Sequence, residues 1–248
     1  MTQKIKSDNR GFTLIELLVA VLVAGLVMAA VAVFVSAALK EYGMTSTEAA
    51  LQMEGQTALG QVSDILMTGT EYPSAKKTVN AGGTDLDVYV FDSGERDSSG
   101  TVQRQCQIFV LDRSKMELLA NTLSEADVKN YIYSDADSSG SELSTEKTLS
   151  SQLLARGDAL KAAAADMAGL DTGEDASSED RDSSYRQKYL LAEHISDFTL
   201  KTVKDGSTGK SYDVEAAITA QAGDRSRTVS GAYRMRNSTW NNSPVVTD

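Results

Sequence analysis

Residues 11–39 read GFTLIELLVAVLVAGLVMAAVAVFVSAAL, and this stretch decides the architecture. From Leu17 to Leu39 it runs for 23 residues with only Gly25 and Ser36 outside the apolar set and no charge. At about 1.5 Å per residue, a helix of that length spans the roughly 30 Å hydrocarbon core of a bilayer. Residues 1–11, MTQKIKSDNRG, carry Lys4, Lys6 and Arg10 against Asp8, while the far flank opens with the neutral pair Lys40 and Glu41. That bias puts the N-terminus in the cytoplasm and the bulk of the chain outside, as a single pass through the cytoplasmic (inner) membrane. A secretory signal peptide has an apolar region of only about 7 to 15 residues ending at a small-residue site, so this run is too long for one.

One residue does not belong in such a run. Glu16 sits four positions after Phe12 at the head of the apolar segment. A charged side chain costs about 2.5–3.5 kcal/mol at the bilayer centre and less near an interface. An ionisable group in that position is a functional candidate, and its natural partner is a cation.

Lys4, Lys6 and Arg10, followed by Gly11-Phe12-Thr13-Leu14-Ile15-Glu16-Leu17-Leu18-Val19, resemble the N-terminal motif of type IV prepilins and of the pseudopilins of type II secretion and competence systems. The resemblance implies that a membrane aspartyl prepilin peptidase cuts between Gly11 and Phe12. It implies N-methylation of Phe12, and assembly in which Glu16 neutralises the Phe12 amine of a neighbouring subunit. The implied partners are the prepilin peptidase, other pilin or pseudopilin subunits and membrane lipid before assembly. An assembly platform protein and a motor ATPase act indirectly, and the filament is displayed in the periplasm or at the cell surface. The resemblance covers about 40 residues; many major pilins also carry a proline partway down this helix, whereas the only prolines here are Pro73 and Pro244.

Elementary chemistry agrees with that assignment. Glycine at position 11 lets a protease approach the backbone closely. The freed amine of Phe12 would be largely cationic at neutral pH, with a reference pKa near 7.7 to 8.0. A carboxylate in a low-dielectric helix bundle needs such a partner.

Composition narrows what the rest of the chain can do. The 248 residues carry 24 Lys+Arg against 35 Asp+Glu, a formal net charge of -11 that disfavours direct nucleic-acid binding. A single cysteine, Cys106, forbids an internal disulfide, and a single histidine, His194, leaves little for zinc or Ser/His/Asp chemistry. Cys106 reads as a small strand residue and His194 as a structural or solvated one. Paired acids in an aromatic-lined cleft, as a glycosidase needs, are poorly supported when the one tryptophan, Trp240, lies in the tail. No enzyme activity and no cofactor are expected.

Beyond the apolar run, Leu51, Ala58, Val62, Ile65 and Leu66 recur at helical spacing, predicting an amphipathic half that stops around Gly69 and Pro73. Gly43 and the capping-box pattern Thr45, Ser46, Thr47, Glu48 mark a possible break or fresh start within it. Period-two alternation at Leu86–Phe91 and Ile108–Leu111 predicts paired antiparallel strands. Phe198 and Leu200, Val214 to Ala220, and Val229 to Met235 predict a three-stranded meander packed on the helix, with Asp205-Gly206 and Gly223-Asp224 as turns.

Between these strand regions, Leu143, Leu149, Leu153, Leu154, Leu160 and Ala162–Ala165 favour helix, interrupted at Gly157 and stopped near Gly169. Residues 171–184 hold six acids against Arg181 and read as a solvated loop. Asp135, Asp137, Ser139, Gly140 and Glu146 approximate an EF-hand spacing, but Ser139 and the late Leu143 favour a plain Ser/Asp-rich loop without metal.

The expected organisation is α+β in the manner of a type IV pilin. Residues 1–11 form a leader and 12–70 a long N-terminal helix. Its 12–39 portion inserts in the membrane, and its 40–70 portion packs on an antiparallel sheet. Residues 71–236 form a globular head with an insertion at 134–184, and 237–248 a flexible tail. The expected function is that of a structural subunit of a type IV pilus or a pseudopilus, with the length and insertion favouring a minor one. The alternative is a single-pass anchored extracytoplasmic binding module, which needs neither the Gly11-Phe12 junction nor Glu16.

Overall fold

A computed structural model describes residues 13–96, 102–133, 143–144, 147–170, 187–204 and 211–235. The chain divides into two compact units, Met1–Thr47 and Glu48–Asp248. Helix α1, Leu14–Met67, contributes to both. In the first unit its side chains from Leu14 to Gly43 are all exposed, with large apolar groups such as Leu14 at 83% and Val35 at 47%. By length and composition this helix is able to cross a membrane.

In the second unit, α1 buries one stripe: Leu51, Gly55, Ala58, Leu59, Val62, Ser63 and Leu66. Steps of three and four put these on one face, which is why the polar Gln52, Gln56, Gln61 and Asp64 stay in solvent. Between Gly43 and Glu48 the helix runs through unbroken, so of a fresh start there and one long helix the structure has the long helix. The Thr45 and Thr47 hydroxyls donate to the carbonyls of Glu41 (3.1 Å) and Gly43 (2.9 Å), and Glu48 turns to Arg225 (3.0 Å) and Arg227 instead of back to Thr45.

The remaining elements are β1 (Lys77–Ala81), β2 (Thr84–Arg96), β3 (Val102–Asp112), β4 (Glu117–Ser124), α2 (Glu125–Ile132), α3 (Leu149–Ala155), α4 (Gly157–Met167), β5 (Leu190–Ala192), β6 (Ile195–Lys204), β7 (Ser211–Ala222) and β8 (Arg225–Tyr233). They build two antiparallel sheets, β1-β2-β3-β4-β5 and β6-β7-β8. Val88 faces Val110 and Tyr89 faces Phe109 across β2 and β3, the pairing that the alternation predicted. The expected meander is the second sheet. Its β7–β8 loop is Gly223-Asp224, closed by Ala222 and Arg225, with Gly223 at φ 62°, a conformation that glycine adopts without a Cβ penalty.

Each face of the larger sheet has its own core. Leu86, Val88, Val90, Cys106, Ile108 and Val110 pack with α2, α3 and α4. On the opposite face, Tyr89, Phe91, Phe109 and Leu111 meet the buried stripe of α1 together with Phe198, Leu200 and Ile218 of the smaller sheet. Phe198 sets its ring edge-on to both Tyr89 (5.4 Å) and Phe109 (5.5 Å), joining the sheets through an aromatic cluster. The helical part of the expected insertion is therefore core. Leu149, Leu153, Leu160 and Ala164 are fully buried because they cover a sheet face that would otherwise be wet.

Two polar joints fix these layers. Asp92 of β2 accepts from the amides of Leu149 (2.9 Å) and Ser150 (3.2 Å) and from the Ser150 hydroxyl, anchoring the start of α3 on the sheet. Arg113 donates to Asp87 (2.8 Å) and to Asp197 (2.7 Å), linking β2 to β6. Burial alone would raise the Asp87 carboxyl. Hydrogen bonds from Thr78 and Arg113, with the charges of Arg113 and Lys76, outweigh it and hold the group below the usual carboxylate range.

Candidate functional site

Among the described residues of the N-terminus, Thr13 and Glu16 meet at the first turn of α1. Leu17 donates its amide to the Thr13 carbonyl (3.2 Å), which makes Thr13 the residue that opens the helix. Its amide donates to Glu16 Oε2 at 3.1 Å, its hydroxyl donates to the same oxygen at 3.0 Å, and the Glu16 amide donates to the Thr13 hydroxyl at 3.3 Å. This is a capping box, the reciprocal pairing of a Thr with a Glu three residues on. A carboxylate in the first turn also lies at the positive end of the helix dipole.

The arrangement explains how an acid is tolerated beside an apolar run. One carboxylate oxygen takes two internal donors, so part of its solvation is replaced by the helix itself. Both hydrogen bonds that the described residues give the carboxylate fall on Oε2. Gly11 and Phe12, the other two residues singled out, lie outside the described residues. Thr13 is not among the residues that the prepilin resemblance singles out, although Thr13-x-x-Glu16 carries the capping signal openly.

Other candidates resolve into structure. Cys106 is fully buried in β3, and burial, with the Asp92 charge, pushes its thiol well above the usual range, so it is no exposed nucleophile. His194 sits at φ 57° in the β5–β6 turn, its ring 3.3 Å from Glu54 of α1 and its carbonyl accepting from Gln221 (2.7 Å). Those bonds give it a structural place. The calcium-like pattern at Asp135, Asp137, Ser139, Gly140 and Glu146 lies outside the described residues, as does Trp240. Among the described residues no group of three or more His, Cys, Asp or Glu side chains could hold a metal ion.

Comparison with known proteins bears on the same turn. No curated protein and no solved structure matches this chain. A family model, the prokaryotic N-terminal methylation motif, matches residues 6–32, a span that contains Gly11, Phe12, Thr13 and Glu16. The chain therefore carries at its N-terminus the signature of type IV prepilins and pseudopilins, on an α+β architecture of long apolar helix followed by antiparallel sheets.

Proposed function

We propose that the protein is a precursor that matures into a pilin-like structural subunit of a type IV pilus or of a secretion or competence pseudopilus. The observation that carries this reading is the methylation motif at residues 6–32, with Glu16, capped through its Oε2, inside it. In this reading prepilin peptidase cuts between Gly11 and Phe12 and the new Phe12 amine is methylated. The subunit waits in the cytoplasmic membrane with its head outside. On assembly, Oε1 of Glu16 receives the Phe12 cation of a neighbour while Oε2 stays with Thr13.

The free energy of assembly then comes from packing apolar helices together and from one charge pair in a low-dielectric bundle. Extraction from lipid falls to a platform protein and a motor ATPase. The chain performs no catalysis of its own, and its large head, with helices covering one sheet face, suits a minor subunit.

Co-expression with a prepilin peptidase followed by intact-mass analysis tests the reading. The expected product starts at methylated Phe12, and removal of the +2 leader takes its formal side-chain charge from -11 to -13. An uncut chain, or a cut near Ser36 to Leu39, would instead support a simple tether or a secretory signal.

A further inference from the structure

We propose that Tyr42, assisted by Lys40, seats the outer end of the apolar helix in the phospholipid headgroup layer and so sets how deep the unassembled subunit lies in the membrane. This role rests on the membrane residence proposed above. Polar-tipped side chains begin abruptly where the apolar run ends, with Lys40, Glu41 and Tyr42 following Leu39 directly. At about 100° per residue they stand on three sides of the helix and form a collar at one level. All three are exposed, Tyr42 at 75%.

Tyr42 both extends the apolar surface and ends it. Met28, Val31, Val35, Leu39 and Tyr42 recur at steps of three and four and share one helix face, so the ring continues an apolar ridge and brings a hydroxyl to its end. Such a ring is most stable at the membrane–water boundary, neither deeper nor farther out. Lys40 brings a cation to the same level for lipid phosphate, on a stem that can lie along apolar surface. Within the run, the hydroxyl of Ser36 donates to the Val33 carbonyl at 2.8 Å, the internal pairing that hydrocarbon surroundings demand. The seat also bears on Glu16. From Leu17 to Leu39 the helix is about 34 Å long, about 4 Å more than the hydrocarbon core. With its outer end fixed, a helix along the bilayer normal leaves the core near Ala20, and Glu16 lies about 6 Å beyond, at the inner headgroups. The carboxylate that costs free energy in lipid is thus held out of it until assembly.

Two tryptophan reporters in a Trp240→Phe background read the depth, with the full chain reconstituted in vesicles of phosphatidylcholine and phosphatidylglycerol. Tyr42→Trp should be quenched about threefold more by lipids brominated close to the headgroup than by lipids brominated near the chain ends. Phe34→Trp, about 12 Å along the helix, should show the reverse order. Moving the seat by about one turn with Leu39→Tyr and Tyr42→Ala should raise the near-headgroup quenching of Phe34→Trp about twofold. Phe34→Trp quenched while Tyr42→Trp is quenched by neither lipid, or most by the chain-end one, would overturn the seat and leave the membrane residence standing. Quenching of neither reporter would remove the residence and the seat with it. A Phe34→Trp signal unchanged when the seat is moved would also overturn the proposal, because the depth would then be set elsewhere.

Discussion

Along α1 two stretches share one backbone geometry and differ in how their side chains are covered. From Leu14 to Leu39 apolar groups point outward all round the helix and none is buried by the chain itself. From Leu51 to Leu66 the apolar positions narrow to one stripe, which meets Phe91, Phe109 and Phe198. A helix apolar on every side needs a surrounding medium, lipid or other helices, whereas a striped helix needs one sheet face. The difference shows where the chain stops folding on itself and where it waits for something else.

The two stretches differ most in what a core substitution costs. Phe109→Ala removes a fully buried ring that contacts both Phe91 and Phe198, and should cost the head about 3–5 kcal/mol. Leu26→Ala, in the outward-facing stretch, should change the same unfolding by less than about 0.5 kcal/mol. Urea titration of the full chain in detergent, followed by near-ultraviolet circular dichroism, measures both. A large loss from Leu26→Ala would mean that the stability of the head depends on the first stretch.

Titration separates the regions next. Because Asp87 has a lowered folded pKa, its contribution is complete above its unfolded value of about 3.9 and fades as pH falls through the folded one. Arg113→Ala should destabilise the head at neutral pH by about 2 kcal/mol and flatten its stability curve below about pH 4. An unchanged acid limb in that variant would show that Arg113 does not set the Asp87 pKa.

Two glycines of the striped half give the finest contrast. A β-carbon on Gly55 would lie 2.9 Å from Cγ2 of Val229 in β8, while one on Gly60 would touch nothing. Gly60→Ala should stabilise by up to about 1 kcal/mol through helix propensity. Gly55→Ala should lose that gain to crowding and end about 1 kcal/mol less stable than the wild type. Equal thermal shifts for the two variants would show that α1 and β8 are less closely fitted than the structure has them.

Much of this architecture is legible in the sequence. The membrane-length run, the amphipathic stripe, the β2–β3 alternation and the C-terminal meander each repeat a simple period several times. The elements that escaped are short or irregular. Strand β4 holds Leu118 and Leu119 side by side at a bulge, which erases the alternation, and β5 has only 3 residues. Helix α2 buries a single residue, Val128, so it shows no apolar period, although Ser124-x-x-Asp127 caps it by the same logic as Thr13 and Glu16. The apolar run Val88-Tyr89-Val90-Phe91 contained the clue to a sheet covered on both faces, since a half-wet strand would alternate with polar residues. At the site, Glu16 was conspicuous as a charge among apolar residues, and Thr13 was not, because a hydroxyl there violates no pattern.

In the proposed function the carboxylate of Glu16 serves subunit assembly and not membrane insertion or maturation. In cells carrying the cognate machinery, the ratio of sheared-filament to membrane-retained protein measures it for wild type, Glu16→Asp and Glu16→Val. The account predicts normal cleavage of all three, intermediate incorporation of Glu16→Asp and strongly reduced incorporation of Glu16→Val, which leaves a neighbour's Phe12 cation unpaired in an apolar bundle at a cost of several kcal/mol. Incorporation of Glu16→Val equal to wild type would contradict it and leave helix packing alone to set the register between subunits.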